Sequence, residues 1–302
     1  MTRILLIGTT GQLGQELQHI LTPLWDVIAV GRRTVNLAEP DTIKQVVSEV
    51  RPDVIVNAAA YTAVDKAESE PELAHAVNAI APGVLAKEAQ RLQASLIHIS
   101  TDYVFDGSQS YPYVETDATN PLGVYGQSKL AGEAAVQANC DRHVILRTAW
   151  VYGTYGTGNF VKTMLRLGTE REELRVVADQ VGSPTWTQDL GQAIAQLIYQ
   201  IKPEIMGTYH YTNSGVASWY DFAIAIFEEA KLLGFPLKVQ RVTPISTAEY
   251  PTPARRPHYS VLSCAKISQV LGTPAPHWRQ GLRQMLVELY SRTHESTHSL
   301  RR

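Results

Sequence analysis

The sequence predicts an α/β fold in which a doubly wound parallel sheet is joined to a smaller, irregular α/β region. Short apolar runs alternate with helical patterns from residue 1 to about 150, and this alternation is typical of a parallel sheet covered on both faces. Beyond Trp150, closely spaced glycines and prolines break the alternation, which indicates loops. At 302 residues the chain also exceeds the usual size of one domain.

Each regular element has its own signal. Apolar runs predict strands at 3–7, 26–30, 53–57 and 94–100, and a fifth strand that ends near Trp150. Helical periodicity predicts helices after Gly11 and over about 42–50, 72–93 and 125–139. A further helical pattern, 189–200, is expected to return and pack on the sheet.

The first strand runs into a glycine-rich turn of the kind that binds dinucleotides. Gly8 and Gly11 allow the backbone to turn tightly and to approach a pyrophosphate at the start of the next helix. Gly14 allows that helix to pack closely on the strand. The alternative, an ordinary strand-to-helix turn, is less consistent with a position directly after a buried strand at the start of the chain. We therefore expect a Rossmann-type nucleotide site.

The end of the second strand indicates which dinucleotide binds. Arg32 and Arg33 stand where an acidic residue usually holds the ribose 2′-hydroxyl, and guanidinium groups suit a 2′-phosphate. This pattern favours NADPH and leaves NADH as a second acceptable cofactor. The alternative is that both arginines are solvated loop charges. The small residues Ala58, Ala59 and Ala60 after the third strand would let a flat cofactor lie against the backbone.

Tyr125 and Lys129 carry the strongest chemical signal. Their spacing of four places both side chains on one helix face, and a nearby ammonium group is expected to lower the tyrosine pKa. Such a phenol can protonate a carbonyl oxygen that becomes an alcohol. Thr101 would emerge at the carboxyl end of the fourth strand, where its hydroxyl could donate to the same oxygen. Alone, a Tyr–Lys pair is more often an ordinary solvated face.

Composition excludes several classes of function. The chain has 44% hydrophobic and 19% charged residues and a formal net charge of −2, typical of a globular enzyme and without a basic patch for nucleic acid. The first apolar run is far too short for a signal peptide or a membrane span. Cys140 and Cys264 are isolated, which suits a reducing compartment. We expect a cytoplasmic protein, and the nine histidines show no metal-ligand spacing.

Five blocks, taken with the glycine turn and the Tyr–Lys pair, resemble the extended short-chain dehydrogenase/reductase superfamily, and within it the dTDP-4-dehydrorhamnose reductases. The blocks are 51–60 (RPDVIVNAAA), 62–68 (TAVDKAE), 100–107 (STDYVFDG), 147–152 (RTAWVY) and 251–257 (PTPARRP). They occur in the expected order, and the resemblance covers nearly the whole chain.

The resemblance implies roles for individual residues. Thr101, Tyr125 and Lys129 would be catalytic, and Lys129 would also hold the nicotinamide ribose. The cofactor would contact Gly8, Gly11, Gln12, Leu13, Arg32, Arg33, Asn36, Leu37, Ala58, Ala59, Ala60, Tyr61, Tyr125 and Lys129. The substrate, a dTDP-sugar, would contact Thr101, Asp102, Tyr125, Trp150, Arg255 and Arg256. Trp150 offers a flat face for a sugar ring, and two guanidinium groups match phosphate oxygens; a core tryptophan and a salt-bridged surface loop are the alternatives.

Two positions depart from the family pattern. Asn36 stands where many relatives have an aspartate before the residue that meets the adenine. Some relatives are also said to form homodimers through Mg²⁺ held by glutamates near the positions of Glu16, Gln188 and Glu288. Because Gln188 is not a carboxylate, a metal-bridged dimer is in doubt here, and a homodimer without it stays open.

The implied function is NADPH-dependent reduction of the C4 ketone of dTDP-4-dehydro-β-L-rhamnose to dTDP-β-L-rhamnose, the last step of dTDP-rhamnose synthesis. A related reductase that gives the other C4 epimer is one alternative, and a non-catalytic NADP-binding regulatory subunit is another. The expected domains are 1–150 for the cofactor and 151–290 mainly for the substrate, with segments that return to the first domain. Residues 291–302 contain few apolar residues and are expected to form a disordered tail.

Overall fold

The fold was analysed in a computed structural model that describes the backbone of residues 1–299 and the side chains of residues 1–292. Its strands are β1 (Arg3–Ile7), β2 (Asp26–Val30), β3 (Val54–Asn57), β4 (Ser95–Thr101), β5 (His143–Thr148), β6 (Val151–Tyr152), β7 (Glu173–Val177), β8 (Val181–Gly182), β9 (Thr185–Trp186), β10 (Gly207–His210), β11 (Ala217–Ser218) and β12 (Arg241–Ile245). The helices are α1 (Gln12–Leu21), α2 (Pro40–Val50), α3 (Val64–Ala67), α4 (Pro71–His75), α5 (Ala81–Leu92), α6 (Val124–Asn139), α7 (Phe160–Glu170), α8 (Thr187–Tyr199), α9 (Trp219–Leu232), α10 (Ala265–Leu271) and α11 (Trp278–Ser299).

Six strands form the central sheet, in the order β10-β5-β4-β3-β1-β2. All of the neighbouring pairs are parallel. The order reverses between β1 and β3, and open α/β sheets bind ligands outside the carboxyl ends of their strands at such a point. The predicted doubly wound parallel sheet is confirmed.

Helices cover both faces of this sheet. On one face, α1 and α8 pack on the strands through Leu17, Ile194 and Leu197. On the other, α2 and α5 bury Val47 and Leu85. The central strands contribute apolar side chains to both layers, which is why their sequences are continuous apolar runs rather than alternating patterns. The expected returning helix is present as α8, and β10 adds a strand to the edge of the sheet.

A separate aromatic core lies in the second half of the chain. It joins α7, α9, α11 and the pair β7–β12 around Tyr152, Phe222 and Trp278, all of which are buried. Its short strands form two-stranded sheets rather than extending the main sheet. This core packs the helices and short strands of the irregular region on one another.

Two segments differ from the expected helices. The pattern over 72–93 forms α4 and α5 joined by a π-helical turn, Ala76–Ile80. Pro82 follows this turn and has no N–H to bond the carbonyl of Asn78, so regular α-helical pairing cannot continue there. The second difference is α11, which continues through Ser299 into the segment where a disordered tail is expected; residues 300–302 lie outside the described part of the chain.

Within the described residues, no helix is both long enough and apolar enough to cross a membrane.

Candidate active site

A cleft of about 960 Å³ opens along the carboxyl ends of the sheet strands. Most of the residues predicted for the cofactor and the catalytic step line it: Gly8, Gly11, Gln12, Leu13, Arg32, Asn36, Leu37, Ala58, Ala59, Ala60, Tyr61, Thr101, Asp102, Tyr125, Lys129 and Trp150. Arg33, Arg255 and Arg256 are not among its lining residues. The nucleotide-type turn and the Tyr–Lys pair therefore share one cavity.

The glycine turn is shaped by close backbone contacts. Gly8 has φ +104°, and a Cβ there would lie 2.7 Å from the Ala59 nitrogen. A Cβ on Gly14 would lie 2.1 Å from the Gly8 carbonyl oxygen. Gly11 differs, because an added Cβ would meet only the Gly8 oxygen, at an ordinary 3.5 Å. Two glycines are thus required by the protein itself, whereas the space at Gly11 is available to a ligand over the start of α1.

The far end of the cleft carries one of the two predicted arginines. Arg32 and Arg33 follow β2, and both are exposed, but Arg32 alone of the two lines the cavity. Asn36 donates to Glu39 and accepts from the Ala38 amide. An exposed cation at the open end of the cleft fits a phosphate on the cofactor ribose.

Helix α6 is fixed at its start and near its middle by contacts that the sequence did not reveal. At its start, the Val124 amide donates to Glu68 Oε1 at 2.9 Å. Gly126 allows close packing, because a Cβ there would lie 2.3 Å from the Tyr103 oxygen. Two turns further on, buried Glu133 forms an ion pair with Arg147 on β5, with an N–O distance of 2.7 Å. These contacts fix the helix face that carries Tyr125 and Lys129.

Thr101 lies between an acid and the predicted proton donor. Its hydroxyl donates to Asp102 Oδ1 at 3.0 Å and accepts from the Tyr103 amide at 3.2 Å. The Thr101 proton therefore points to Asp102 in this structure, not into the cleft. Burial raises the pKa of Asp102 to about 6, although hydrogen bonds from Ser260 and Thr101 oppose the shift.

The expected effect of Lys129 on Tyr125 is wrong for this structure. Burial raises the pKa of Tyr125 to about 12, and a hydrogen bond with Thr101 opposes this rise. Lys129 does not act on the phenol, because its ammonium nitrogen donates to the Ile99 carbonyl at 2.7 Å and lies 3.3 Å from His98 Nε2. Burial also lowers the pKa of Lys129, to about 8. The tyrosine is therefore a firmly protonated acid.

Trp150 is held in a stack on the other side of the cleft. Its ring lies 3.5 Å from that of Trp219 with an angle of 5° between the planes. Its backbone has φ +48°, a strained conformation for a bulky residue. Gly182 leaves room for the ring, since a Cβ there would lie 2.7 Å from Trp150 Cε2. Trp219, which supports this ring from outside the cleft lining, is a residue that the sequence did not indicate.

The predicted phosphate-binding arginines lie outside the cleft. Arg256 pairs with Asp65 at 2.8 Å, and Arg255 is exposed. Asp65 is engaged by this ion pair, and nearby Glu68 caps α6. A role of either arginine in substrate binding stays a prediction.

The donors near the proposed magnesium position do not suit the ion. Glu288 accepts from Thr154 through Oε2 and pairs with Arg292 through Oε1. Glu16 accepts from Thr187, and burial raises the pKa of its carboxyl. Gln188 lies beside them in the same surface cavity and is neutral. Among the described residues, no group of three or more His, Cys, Asp or Glu could hold a metal ion.

Comparison with known proteins agrees with this geometry. Residues 1–291 match the family model described as "RmlD substrate binding domain". The dTDP-4-dehydrorhamnose reductase of Escherichia coli strain K12 is 48% identical over 296 residues, covering 96% of this chain and 99% of that protein. The Bacillus subtilis spore coat polysaccharide biosynthesis protein SpsK is 42% identical over 289 residues, covering 95% of this chain and 98% of that protein.

A solved structure of similar sequence adds a bound cofactor. It is the dTDP-4-dehydrorhamnose reductase of Bacillus anthracis strain Ames in complex with NADP, which superposes with a TM-score of 0.89 at 42% identity and covers 95% of this chain and 99% of that one. On full-length similarity in sequence and in structure, the chain belongs to the dTDP-4-dehydrorhamnose reductase family.

Proposed function

We propose that the protein reduces the C4 ketone of dTDP-4-dehydro-β-L-rhamnose to the alcohol, using NADPH. One observation carries the proposal: Thr101, Tyr125 and Lys129 line the same cleft as the glycine turn at Gly8 and Gly11. A dinucleotide on the turn would extend along the strand ends toward the phenol. Membership of the reductase family supports the same reaction.

The protein's part in the reaction is proton delivery and positioning. When bound, NADPH supplies a hydride to the C4 carbon of the sugar. Tyr125 gives its phenol proton to the C4 oxygen, which becomes the hydroxyl of the product. A phenol with a pKa raised to about 12 by burial remains protonated at neutral pH until the developing alkoxide, a much stronger base, takes its proton. Thr101 lies within hydrogen-bonding reach of that phenol and would help to position it.

The cofactor and the dTDP-sugar would bind on different sides of the cleft. Arg32 is the cation available for the 2′-phosphate, which supports a preference for NADPH over NADH. On the other side, Trp150 and Asp102 would contact the sugar, and the cluster of Arg255 and Arg256 would approach the diphosphate of the dTDP group. The Arg256–Asp65 ion pair would have to rearrange for Arg256 to bind phosphate.

We also propose that the enzyme works in the cytoplasm. Cys140 and Cys264 are both free thiols, which is consistent with a reducing, cytoplasmic compartment. A homodimer stays a prediction, to be checked by light scattering of the purified protein with and without a chelator.

The direct test is turnover of the native protein. NADPH oxidation is followed by absorbance with enzymatically made dTDP-4-dehydrorhamnose, and product NMR identifies the C4 configuration. We expect turnover that requires both ligands and gives the rhamno product. The other epimer would replace the substrate assignment, and tight NADPH binding without turnover of this sugar would contradict the proposed reaction.

A further inference from the structure

A chain of three buried polar side chains lies behind the cleft, and the reaction above does not use all of it. Asn57 Nδ2 lies 3.1 Å from His98 Nδ1, and His98 Nε2 lies 3.3 Å from Lys129 Nζ. Asn57 and His98 are fully buried, and Lys129 is 1% exposed. Polar groups so deeply buried form hydrogen bonds with one another, and each bond needs one donor and one acceptor.

The backbone fixes the orientation of the Asn57 amide. The Ala59 N–H can only donate, and it donates to Asn57 Oδ1 at 3.2 Å. The NH₂ group of Asn57 is therefore the end that faces His98. An NH₂ group is a donor, so Nδ1 of His98 must accept and carries no proton. The proton of the neutral imidazole then sits on Nε2, which points at Lys129.

The Nζ atom of Lys129 faces the proton on His98 Nε2. A charged ammonium group has only donors, so a second donor at 3.3 Å opposes it. A neutral amine has a lone pair that can accept from His98 Nε2 while one N–H donates to the Ile99 carbonyl at 2.7 Å. Protonation of His98 instead would place two cations in contact. Among the titratable groups of the described residues, His98 on β4 opposes the charge of Lys129, and Glu133 on α6 favours the ammonium form.

We propose that His98, oriented by Asn57, is a positioning residue that favours the neutral amine of Lys129 and holds it against the Ile99 carbonyl. This inference rests on the proposed function, and deepens it by identifying the side chains that set the charge of Lys129 within the site. Burial acts in the same direction, since it lowers the pKa of both Lys129 and His98.

The network also connects the cofactor turn to the lysine. Asn57 is the last residue of β3, and the Ala59 nitrogen that fixes its amide is the atom against which Gly8 packs. The Ala59 amide is thus linked to Lys129 by three hydrogen bonds in series, through Asn57 and His98.

The test measures the charge of Lys129 directly, in protein without added cofactor or sugar. Lysine labelled with ¹³C at Cε is titrated by NMR, and the Lys129 signal is assigned by its loss in Lys129→Met. In the native protein we expect a midpoint well below the ordinary 10.5. Asn57→Asp should raise it by about one pH unit or more, because a carboxylate accepts from both Ala59 N–H and His98 Nδ1–H and turns an Nε2 lone pair toward Lys129.

Three controls separate an effect transmitted through His98 from other effects. His98→Gln keeps the bond directions, accepting from Asn57 and donating to Lys129, and should leave the midpoint low. In a His98→Leu background, Asn57→Asp should shift the midpoint far less, because His98 is missing. His210→Gln removes another buried histidine, on β10, and should not move the Lys129 signal.

A native midpoint near 10.5, no shift in Asn57→Asp, or a shift that persists in the His98→Leu background would each overturn the inference. Because no turnover is measured, these results are distinguishable from a failure of the proposed reaction.

Discussion

The two sides of the cleft are built in different ways. On the cofactor side, backbone geometry forms the site: the turn at Gly8 and the strand end at Ala59 touch directly, and both follow strands, β1 and β3, that are neighbours in the sheet. On the substrate side, side chains from distant segments form it, with Trp150 stacked on Trp219 and backed by Gly182. Short sequence patterns therefore indicate the cofactor side, whereas the substrate side depends on how segments distant in the sequence pack together.

The largest effect on stability is expected at Gly14, which is needed for packing, whereas Gly11 leaves space for the cofactor. Gly14→Ala places a Cβ 2.1 Å from the Gly8 oxygen, and we expect a loss of about 3 kcal/mol or more in the free energy of unfolding, because backbone must move. Gly11→Ala should change stability by less than about 0.5 kcal/mol yet weaken NADPH binding at least about tenfold. Denaturant unfolding and cofactor titration measure both; equal destabilisation by the two variants would contradict the distinction.

The difference explains what could be predicted from the sequence. The sheet, the glycine turn and the Tyr–Lys helix face depend on residues within one turn or one connection of each other, so local patterns indicate them. The stack of Trp150 on Trp219 joins residues 69 apart in numbering, and no periodicity links them. The Glu68 cap on α6 and the His98 contact with Lys129 are equally non-local. The Tyr125 pKa was misjudged because burial, which a sequence does not show, outweighs a cation directed elsewhere.

A second prediction concerns the acid at the junction of the two sides. Burial raises the pKa of Asp102 from 3.8 to about 6, so the folded chain binds this proton more tightly than the unfolded chain. The contribution of Asp102 to stability is greatest below pH 4 and is lost as pH rises through 6. Relative to Asp102→Asn, the native protein should therefore lose about 2 kcal/mol of unfolding free energy between pH 4 and 7. Denaturant unfolding at several pH values measures this, and a difference that does not change with pH would exclude it.

The third prediction perturbs the substrate side alone. Gly182→Ala brings a Cβ to 2.7 Å from Trp150 Cε2 and should displace the ring that we expect to contact the sugar. We predict a rise of about tenfold or more in KM for the dTDP-sugar, since small displacements of positioning groups are costly. The Kd for NADPH in the same variant serves as the control and should be unchanged. A parallel loss of cofactor affinity would show that the two sides are not separable.

The smallest effect is expected at Arg32, at the open end of the cofactor side, and it concerns the preference for NADPH over NADH. Arg32→Ala should reduce the preference for NADPH over NADH about tenfold, because one charge-assisted hydrogen bond to the 2′-phosphate is lost. Arg33→Ala is the matched control, since Arg33 does not line the cleft. Ratios of kcat/KM for the two cofactors give the comparison, and a larger effect at Arg33 would reverse the assignment.

The central claim is that both sides of the cleft meet at Tyr125, and a pair of neighbouring tyrosines tests it most directly. The rings of Tyr103 and Tyr125 lie 5.6 Å apart, edge to face, so Tyr103→Phe controls for loss of a nearby hydroxyl. Single-turnover NADPH oxidation should slow by about a hundredfold or more in Tyr125→Phe, with binding of both ligands retained, and far less in Tyr103→Phe. A Tyr125→Phe protein that keeps the native rate, or a greater loss in Tyr103→Phe, would contradict the account.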